Sequence, residues 1–286
     1  MIAVALPPLA AEPIFYIGSL PITNTVINST LTMFGFLVFA FLINRAVKYY
    51  GSDKAPKGLL NFFERILELL YQYFDTVTRD RKRTIQFLPL VGTLFLFILV
   101  SNWIGLLPGI GSIGRYLVHE GSVTLVPIFR PATTDLNLTI AMAVTVVIVS
   151  HVLGIAVIGF FKYANKFIKL GDLWHAAKSL KPMNIMTAII EFFVGLLEII
   201  SEVAKLLSLS LRLFGNIFAG EVLLTVLAGI LPVLLPLPFM ALEVIVGIVQ
   251  ATVFAMLTLV YLTIATTPIA SLHSEHKQDL EPTPTL

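Results

Sequence analysis

One arginine in an apolar stretch carries the clearest chemical meaning in this chain. Arg212 lies within SLSLRLFGNIFAGEVLL (208–224), among leucine and phenylalanine side chains. Arginine keeps its proton inside proteins, and such a charge costs about 2.5–3.5 kcal/mol at the centre of a membrane helix. The positions three, four and seven residues away on a helix hold no acid. We therefore expect the carboxylate that balances Arg212 to come from another helix or another chain.

Further polar residues follow the face of the predicted helix that carries this arginine. At about 100° per residue, one sector contains Glu198, Ser201, Lys205, Ser208, Arg212 and Asn216. Glu202 lies at the edge of that sector, three residues from Lys205, and the two can form an ion pair. This pair is either a solvated salt bridge or part of a functional site.

Two acids in the C-terminal half predict a proton path. Glu221 follows Arg212 by nine residues and so lies about 180° around the helix. A buried carboxylate without a cation can exchange protons near neutral pH, and we expect Glu221 to do so unless it lies in water at the outer rim. In the next segment Glu243 and Gln250 share one face. A hairpin of the two segments would place Glu221 level with roughly residue 247, giving either a proton path or a hydrogen-bonded packing pair.

Other chemistries are not indicated by the residue types. The chain has no cysteine, which excludes disulfides, thiolate metal sites and thiol nucleophiles. No zinc-protease, phosphate-loop or serine-hydrolase motif occurs, and we expect no cofactor and no metal site. The histidines are scattered and are not expected to form a site: His119, His151, His175, His273 and His276.

The composition indicates a membrane protein that crosses the bilayer several times. Of the 286 residues, 57% are hydrophobic and 13% are charged, against about 25% charged in soluble domains. The mean hydropathy is +0.91. The net charge of +2 is too small to suggest nucleic-acid binding.

The apolar segments predict an all-α fold with about five membrane-embedded helices in a single domain, 1–286. They are 25–44, 84–107, 136–161, 183–231 and 236–270. As one helix, 183–231 would be about 73 Å long, whereas the bilayer core is about 30 Å thick. This segment therefore forms one steeply tilted helix or two spans with a kink near Gly195 or Gly215. We favour a hairpin of two long tilted helices over 183–270, because no polar turn divides either segment.

Basic residues predict the orientation. The loop after the first segment carries Arg45, Lys48, Lys54, Lys57, Arg65, Arg79, Arg81, Lys82 and Arg83, and the loop after the third carries Lys162, Lys166, Lys169, Lys178 and Lys181. The loop between the second and third segments has only Arg115 and Arg130. The N-terminal segment 1–24 is therefore expected outside and the C-terminus in the cytoplasm.

Two further segments have a distinct pattern. GLLNFFERILELLYQYFDTV (58–77) places polar residues at helical spacing among apolar ones, which predicts an amphipathic helix. It lies on the inner membrane surface or packs against a partner subunit. The polar tail 271–286 is expected to be disordered.

Three stretches resemble one known family. SLRLFGNIFAGE (210–221) closely resembles the signature of subunit a of the F-type ATP synthase, the static ion-channel subunit beside the rotating c-ring. FRPATTDLN (129–137), and the spacing of Glu243 and Gln250 before TLVYLTIA, resemble this family too. The similarity extends over most of the chain.

The resemblance implies a role for each matching residue. Arg212 would face the essential carboxylate of each passing c subunit, with Asn216 and Gln250 near that exchange. Glu221 and Glu243 would line an aqueous half-channel from the outside. Secondary channel-lining residues would be Asp135 and Asn137 on the external side and Glu198 on the cytoplasmic side, together with Lys205 and Ser208.

The implied function is proton translocation through two half-channels that drives ring rotation and ATP synthesis, without catalysis by this chain alone. The implied partners are the c-ring, the b subunits of the peripheral stalk, other synthase subunits and the lipid membrane, with a bacterial plasma membrane as location. The ion is H⁺ or Na⁺. Two other hypotheses remain open: a secondary transporter in which Arg212 binds an anionic substrate, and a purely structural membrane anchor.

Overall fold

The structure is a computed structural model that describes residues 7–50, 58–107, 113–119, 122–167, 182–232 and 234–267. The predicted C-terminal tail at 271–286 lies outside these ranges, as does most of the basic loop after the third span. Predictions that concern those residues therefore stay predictions.

Helices make up most of the described residues. They are α1 (Asn24–Tyr50), α2 (Leu59–Thr78), α3 (Arg81–Leu106), α4 (Leu136–Ile158), α5 (Phe160–Phe167), α6 (Pro182–Ile230) and α7 (Pro236–Thr266). Five of them, α1, α3, α4, α6 and α7, are long and apolar enough to cross a membrane. The prediction of an all-α protein with several membrane spans is confirmed.

The long helix α6 is continuous over 49 residues, from Pro182 to Ile230. It has no break at Gly195 or Gly215, so the prediction of one long helix is confirmed. Proline at the first helical position suits this start because its missing N–H would have no partner there. The short turn before Pro236 then leads into α7, which has 31 residues.

Local capping explains where α4 begins and ends. The carboxylate of Asp135 accepts a hydrogen bond from the Asn137 backbone N–H at 2.9 Å, which satisfies one of the free donors of the first turn. At the other end Gly159 has a φ of 92°. Glycine adopts this left-handed conformation without strain, and the chain turns there into α5.

The predicted amphipathic helix is α2, and its helical structure is confirmed. Leu70 and Phe74 on its apolar face are buried. The helix ends at Arg79, whose φ is 50°, and Asp80 then caps α3 by accepting from the Lys82 N–H at 2.9 Å. The Thr84 hydroxyl donates to Asp75 at 2.8 Å, which ties α2 to α3. The location of α2 on the membrane surface stays a prediction.

Two small hairpins were not predicted. Strands β1 (Pro13–Ile17) and β2 (Leu20–Thr23) pair antiparallel, as do β3 (Gly114–His119) and β4 (Ser122–Pro127). Gly18, with a φ of 63°, lies in the turn of the first hairpin. These strands have four to six residues, too few for hydrophobic periodicity to distinguish them from loops.

The chain divides into two compact units. The first comprises Met1–Met142 and Leu209–Leu259, and the second comprises Ala143–Ser208 and Val260–Leu286. Each unit contains its own cluster of polar and charged side chains.

Candidate functional site

The first unit contains a buried ion pair between the loop after β4 and helix α6. The side chain of Arg130 is 2% exposed and that of Glu221 is 19% exposed. Arg130 Nε donates to Glu221 Oε1 at 2.9 Å, and Arg130 Nη2 donates to Glu221 Oε2 at 2.9 Å. This geometry is bidentate, which is the strong form of an arginine–carboxylate ion pair. The guanidinium also lies 5.9 Å from the ring centroid of Phe218, a cation–π distance.

The same guanidinium holds the N-terminal segment. Its Nη2 donates to the Pro8 carbonyl at 3.0 Å and its Nη1 to the Ala10 carbonyl at 3.5 Å. The backbone of Arg130 is fixed as well, because Asn28 Nδ2 donates to its carbonyl at 2.8 Å. Arg130 therefore joins three separate parts of the first unit: the N-terminal segment, α1 and α6.

The expectation that Glu221 lacks a cation is wrong. Arg130 supplies one from 91 residues away in the sequence. Helix periodicity compares only residues within a few turns of each other, so it could not pair the two. A signal was present nonetheless: Arg130 stands at the start of RPATTDLN, in a loop with only one other basic residue, Arg115.

The carboxyl group of Glu243 lies against the backbone of α6 at Gly220, which is the residue before Glu221. A Cβ atom at Gly220 would overlap the carboxyl group of Glu243, so the two surfaces meet there. The expected register, with Glu221 level with residue 247, is wrong by about one helical turn. Trp103 of α3 contributes to the observed register, because its Nε1 donates to the Val244 carbonyl at 3.3 Å.

One carboxyl oxygen of Glu243 is buried without a hydrogen-bond partner among the described residues. Among the described residues, four buried side-chain atoms have no hydrogen-bond partner: Asn28 Oδ1, Ser101 Oγ, Asn102 Nδ2 and Glu243 Oε1. Buried polar groups usually have partners, and positions of this kind are where internal water binds. Oε1 of Glu243 is therefore a position at which an internal water molecule can bind.

Asp135 and Asn137, both predicted as secondary residues, lie at the start of α4. The Asp135 carboxylate accepts from the Thr25 hydroxyl at 2.9 Å as well as from the Asn137 N–H. Asp135 is 8% exposed. Its contacts join α1 to α4 and cap a helix, which is a structural arrangement.

Arg212 and Asn216 are exposed on the surface of α6. Exposed apolar side chains surround them, among them Leu211 at 51% exposure. Gln250 on α7 is half-buried. The structure therefore does not gather the predicted proton path into one cluster: the two acids face inward, and the arginine faces outward.

The second unit contains a separate polar cluster. Lys205 Nζ donates to Glu202 Oε1 at 2.7 Å, which confirms the predicted pair. His151 Nδ1 lies 2.7 Å from the Tyr163 hydroxyl, and its Nε2 lies 3.9 Å from Glu202 Oε2. Lys205 also lies 5.5 Å from the ring centroid of Tyr261. His151 therefore belongs to this cluster, while the prediction that the five histidines form no site of their own stays a prediction.

A cavity of about 370 Å³ opens at this second cluster, lined by His151, Ile155, Phe160, Tyr163, Ala164, Ile199, Glu202 and Val203. Burial, with smaller contributions from Glu202 and Glu198, raises the pKa of Tyr163 to about 12. Its hydroxyl consequently stays protonated at physiological pH and acts as a hydrogen-bond donor or acceptor there. Ser208 lies on α6, the helix that also carries Glu202 and Lys205, and its side chain is exposed.

A metal site is not evident in the ranges that the structure describes, since no three histidine, aspartate or glutamate side chains are close enough to hold an ion. Two cation–acid pairs, Arg130 with Glu221 and Lys205 with Glu202, stabilise charge in the described part of the chain.

Comparison with known proteins places these features in a family. The family model described as ATP synthase A chain matches residues 26–263. ATP synthase subunit a of Moorella thermoacetica is 34% identical over 87% of this chain and 93% of its own length. The proteins of that name from Geotalea uraniireducens and Geobacter sulfurreducens are 36% and 33% identical, each over 79% of this chain and 82% of their own length.

Proposed function

Since the chain belongs to the ATP synthase A chain family, and so is a multi-pass proton-translocating membrane subunit of that enzyme, we propose that it is the stator subunit that exchanges protons with a c-ring. The observation that carries this proposal is the exposure of Arg212 on an apolar helix surface. A permanent charge in that position is costly in lipid, and an acid on a second subunit would offset it.

Electrostatic attraction explains how a c subunit releases its proton at the interface. A fixed cation favours the ionised form of a carboxylate that passes it, so each c subunit releases its proton as it approaches Arg212. The same cation repels a proton that would cross directly from one half-channel to the other. Moving one elementary charge across the membrane releases about 2.3 kcal/mol of free energy per 100 mV of membrane potential.

Two half-channels supply and remove the protons. Glu221, Glu243 and Gln250 line the outer one, with Asp135 and Asn137 near its entrance, and Asn216 lies beside the exchange with the ring. The unpartnered buried atom of Glu243 supports this assignment. Glu198, Lys205 and Ser208 belong to the inner half-channel, and the cluster around Glu202 and His151 supports it.

The surroundings of the subunit follow from the same proposal. The 183–270 hairpin faces the rotor, and the peripheral-stalk b subunits and other synthase subunits contact the remaining surface. The membrane is a bacterial plasma membrane, with the N-terminal segment outside and the C-terminus in the cytoplasm. The chain has no catalytic role by itself.

The decisive experiment replaces Arg212 in the assembled synthase. Arg212→Ala should leave the complex intact but reduce ATP-driven proton pumping in vesicles at least a hundredfold, because the fixed charge at the interface is lost. Pumping at the normal rate by this variant would contradict the proposal and would favour a structural anchor. Transport by the purified chain alone, without a c-ring, would favour a secondary transporter.

A further inference from the structure

Arg130 lies in the stretch FRPATTDLN, to which the resemblance gives no role at this position, and its side chain is buried to 2% exposure against Glu221. We propose that Arg130 is a positioning residue that holds Glu221 in an ion pair, so that Glu221 lines the outer half-channel as an anion while Glu243 exchanges the proton. This inference rests on the proposed function, which supplies the half-channel.

The geometry of the pair opposes proton exchange at Glu221. Three contacts join the two side chains, from Nε to both carboxylate oxygens at 2.9 and 3.0 Å and from Nη2 to Oε2 at 2.9 Å. Protonation of Glu221 would remove the negative charge from these contacts. Arg130 cannot lose its own proton in response, so a buried cation would remain without compensation.

The position of Arg130 is fixed from several sides. Asn28 holds its carbonyl, and the next residue, Pro131, packs so closely on α3 that a Cβ atom at Gly105 would overlap its ring. The carbonyls of Pro8 and Ala10 accept hydrogen bonds from its Nη2 and Nη1. The guanidinium therefore has little freedom to move away from Glu221 during a proton-transfer cycle.

Two charged groups face Glu221 in the first unit. Arg130 is the cation beside it, and Glu12 of the N-terminal segment is a second acid near enough to interact with its charge. The repulsion from Glu12 is opposed by the direct contacts to Arg130.

Glu243 differs from Glu221 in its surroundings. Within the described residues its buried Oε1 has no hydrogen-bond partner, whereas both oxygens of Glu221 accept from Arg130. A change of protonation at Glu243 breaks no ion pair in the part of the chain that the structure describes. Of the two acids, Glu243 is therefore the one that can alternate between its charged and neutral forms.

The test uses the whole synthase in sealed vesicles, with ATP-driven proton pumping measured per assembled complex over a range of pH. We compare Glu221→Gln, Arg130→Gln and the double variant. Each single change leaves one buried charge unpaired and should lower pumping at least tenfold. The double variant removes both charges together, so it should pump at least threefold faster than either single variant, and its pH profile should lack the ionisation that Arg130→Gln adds.

Several outcomes would overturn the inference. If Glu221 carries protons, the double variant will be as inactive as Glu221→Gln, because the exchanging acid is missing in both. If the double variant fails to assemble while both single variants assemble, each charge has a role that does not depend on its pairing with the other, and the inference is overturned. Glu243→Gln serves as a contrast and should stay inactive when combined with Arg130→Gln.

A conservative change adds a second readout. Arg130→Lys retains the cation and should keep both the rate, within about threefold, and the pH profile. Arg130→Gln should add an ionisation to the profile, since Glu221 then becomes free to titrate. An unchanged profile in Arg130→Gln would refute the positioning role.

A parallel measurement on Arg212→Ala separates the two proposals. If that variant pumps normally, the proposed function fails, whatever the Arg130 variants do. If it loses pumping while the double variant remains inactive, only the inference about Arg130 fails.

Discussion

The contact between Gly220 and Glu243 can be tested by adding one methyl group. In Gly220→Ala the new Cβ would overlap both oxygens and the carboxyl carbon of Glu243. Either the helices separate or the carboxyl group turns away from α6. We expect the carboxyl group to move, because it is the far end of a flexible side chain.

Two opposing effects determine the change in stability of Gly220→Ala, and a third effect determines the change in its rate of proton conduction. Overpacking costs about 1–3 kcal/mol, and replacing glycine by alanine within a helix recovers up to about 1 kcal/mol. The net loss is on the order of 1–2 kcal/mol, small enough for the complex to assemble. Displacing a reacting group by about 1 Å can cost up to a hundredfold in rate. We therefore expect proton conduction to fall by roughly 5- to 100-fold.

The assay is passive proton conduction through vesicles stripped of the catalytic sector, normalised to the amount of assembled subunit. Gly92→Ala is the matched control: Gly92 lies within α3, and a Cβ atom there would have no neighbour within 4 Å. A second change, Glu243→Asp, shortens the side chain by one methylene and should restore part of the conduction in Gly220→Ala. Equal conduction by Gly220→Ala and Gly92→Ala would refute the packing of Glu243 against α6.

Two further predictions concern stability. Asp135→Ala removes a buried acceptor from the Thr25 hydroxyl and the Asn137 N–H, which should destabilise the chain by about 1–3 kcal/mol. Thermal unfolding of the purified complex measures this, and a loss as large in Asp135→Asn would contradict the capping role. The raised pKa of Tyr163, about 12 against about 10 in the unfolded chain, means that the unfolded state loses its proton first. Stability should therefore decrease as the pH rises from 10 to 12, and Tyr163→Phe should remove this decrease; an identical pH dependence of the melting temperature in both proteins would contradict it.

Features that depend on neighbouring residues could be predicted from the sequence. The spans follow from apolar length, and the continuity of α6 follows from the absence of a proline between Pro182 and Pro232. The Glu202–Lys205 pair follows from a spacing of three residues on a helix. The cost of a charge in an apolar segment singled out Arg212, because the identity of the adjacent residues determines that cost.

Features that depend on distant residues were decided by the tertiary structure alone. The partner of Glu221 is 91 residues away, and His151 meets Tyr163 across the break that Gly159 makes between α4 and α5. Periodicity assigns a side chain to a helix face, but it leaves open which helix that face meets and at what height. An error of one turn placed Glu221 near residue 247, whereas packing places Glu243 against Gly220. Rotation and register of packed helices result from the sum of many side-chain contacts, and no single local pattern contains that sum.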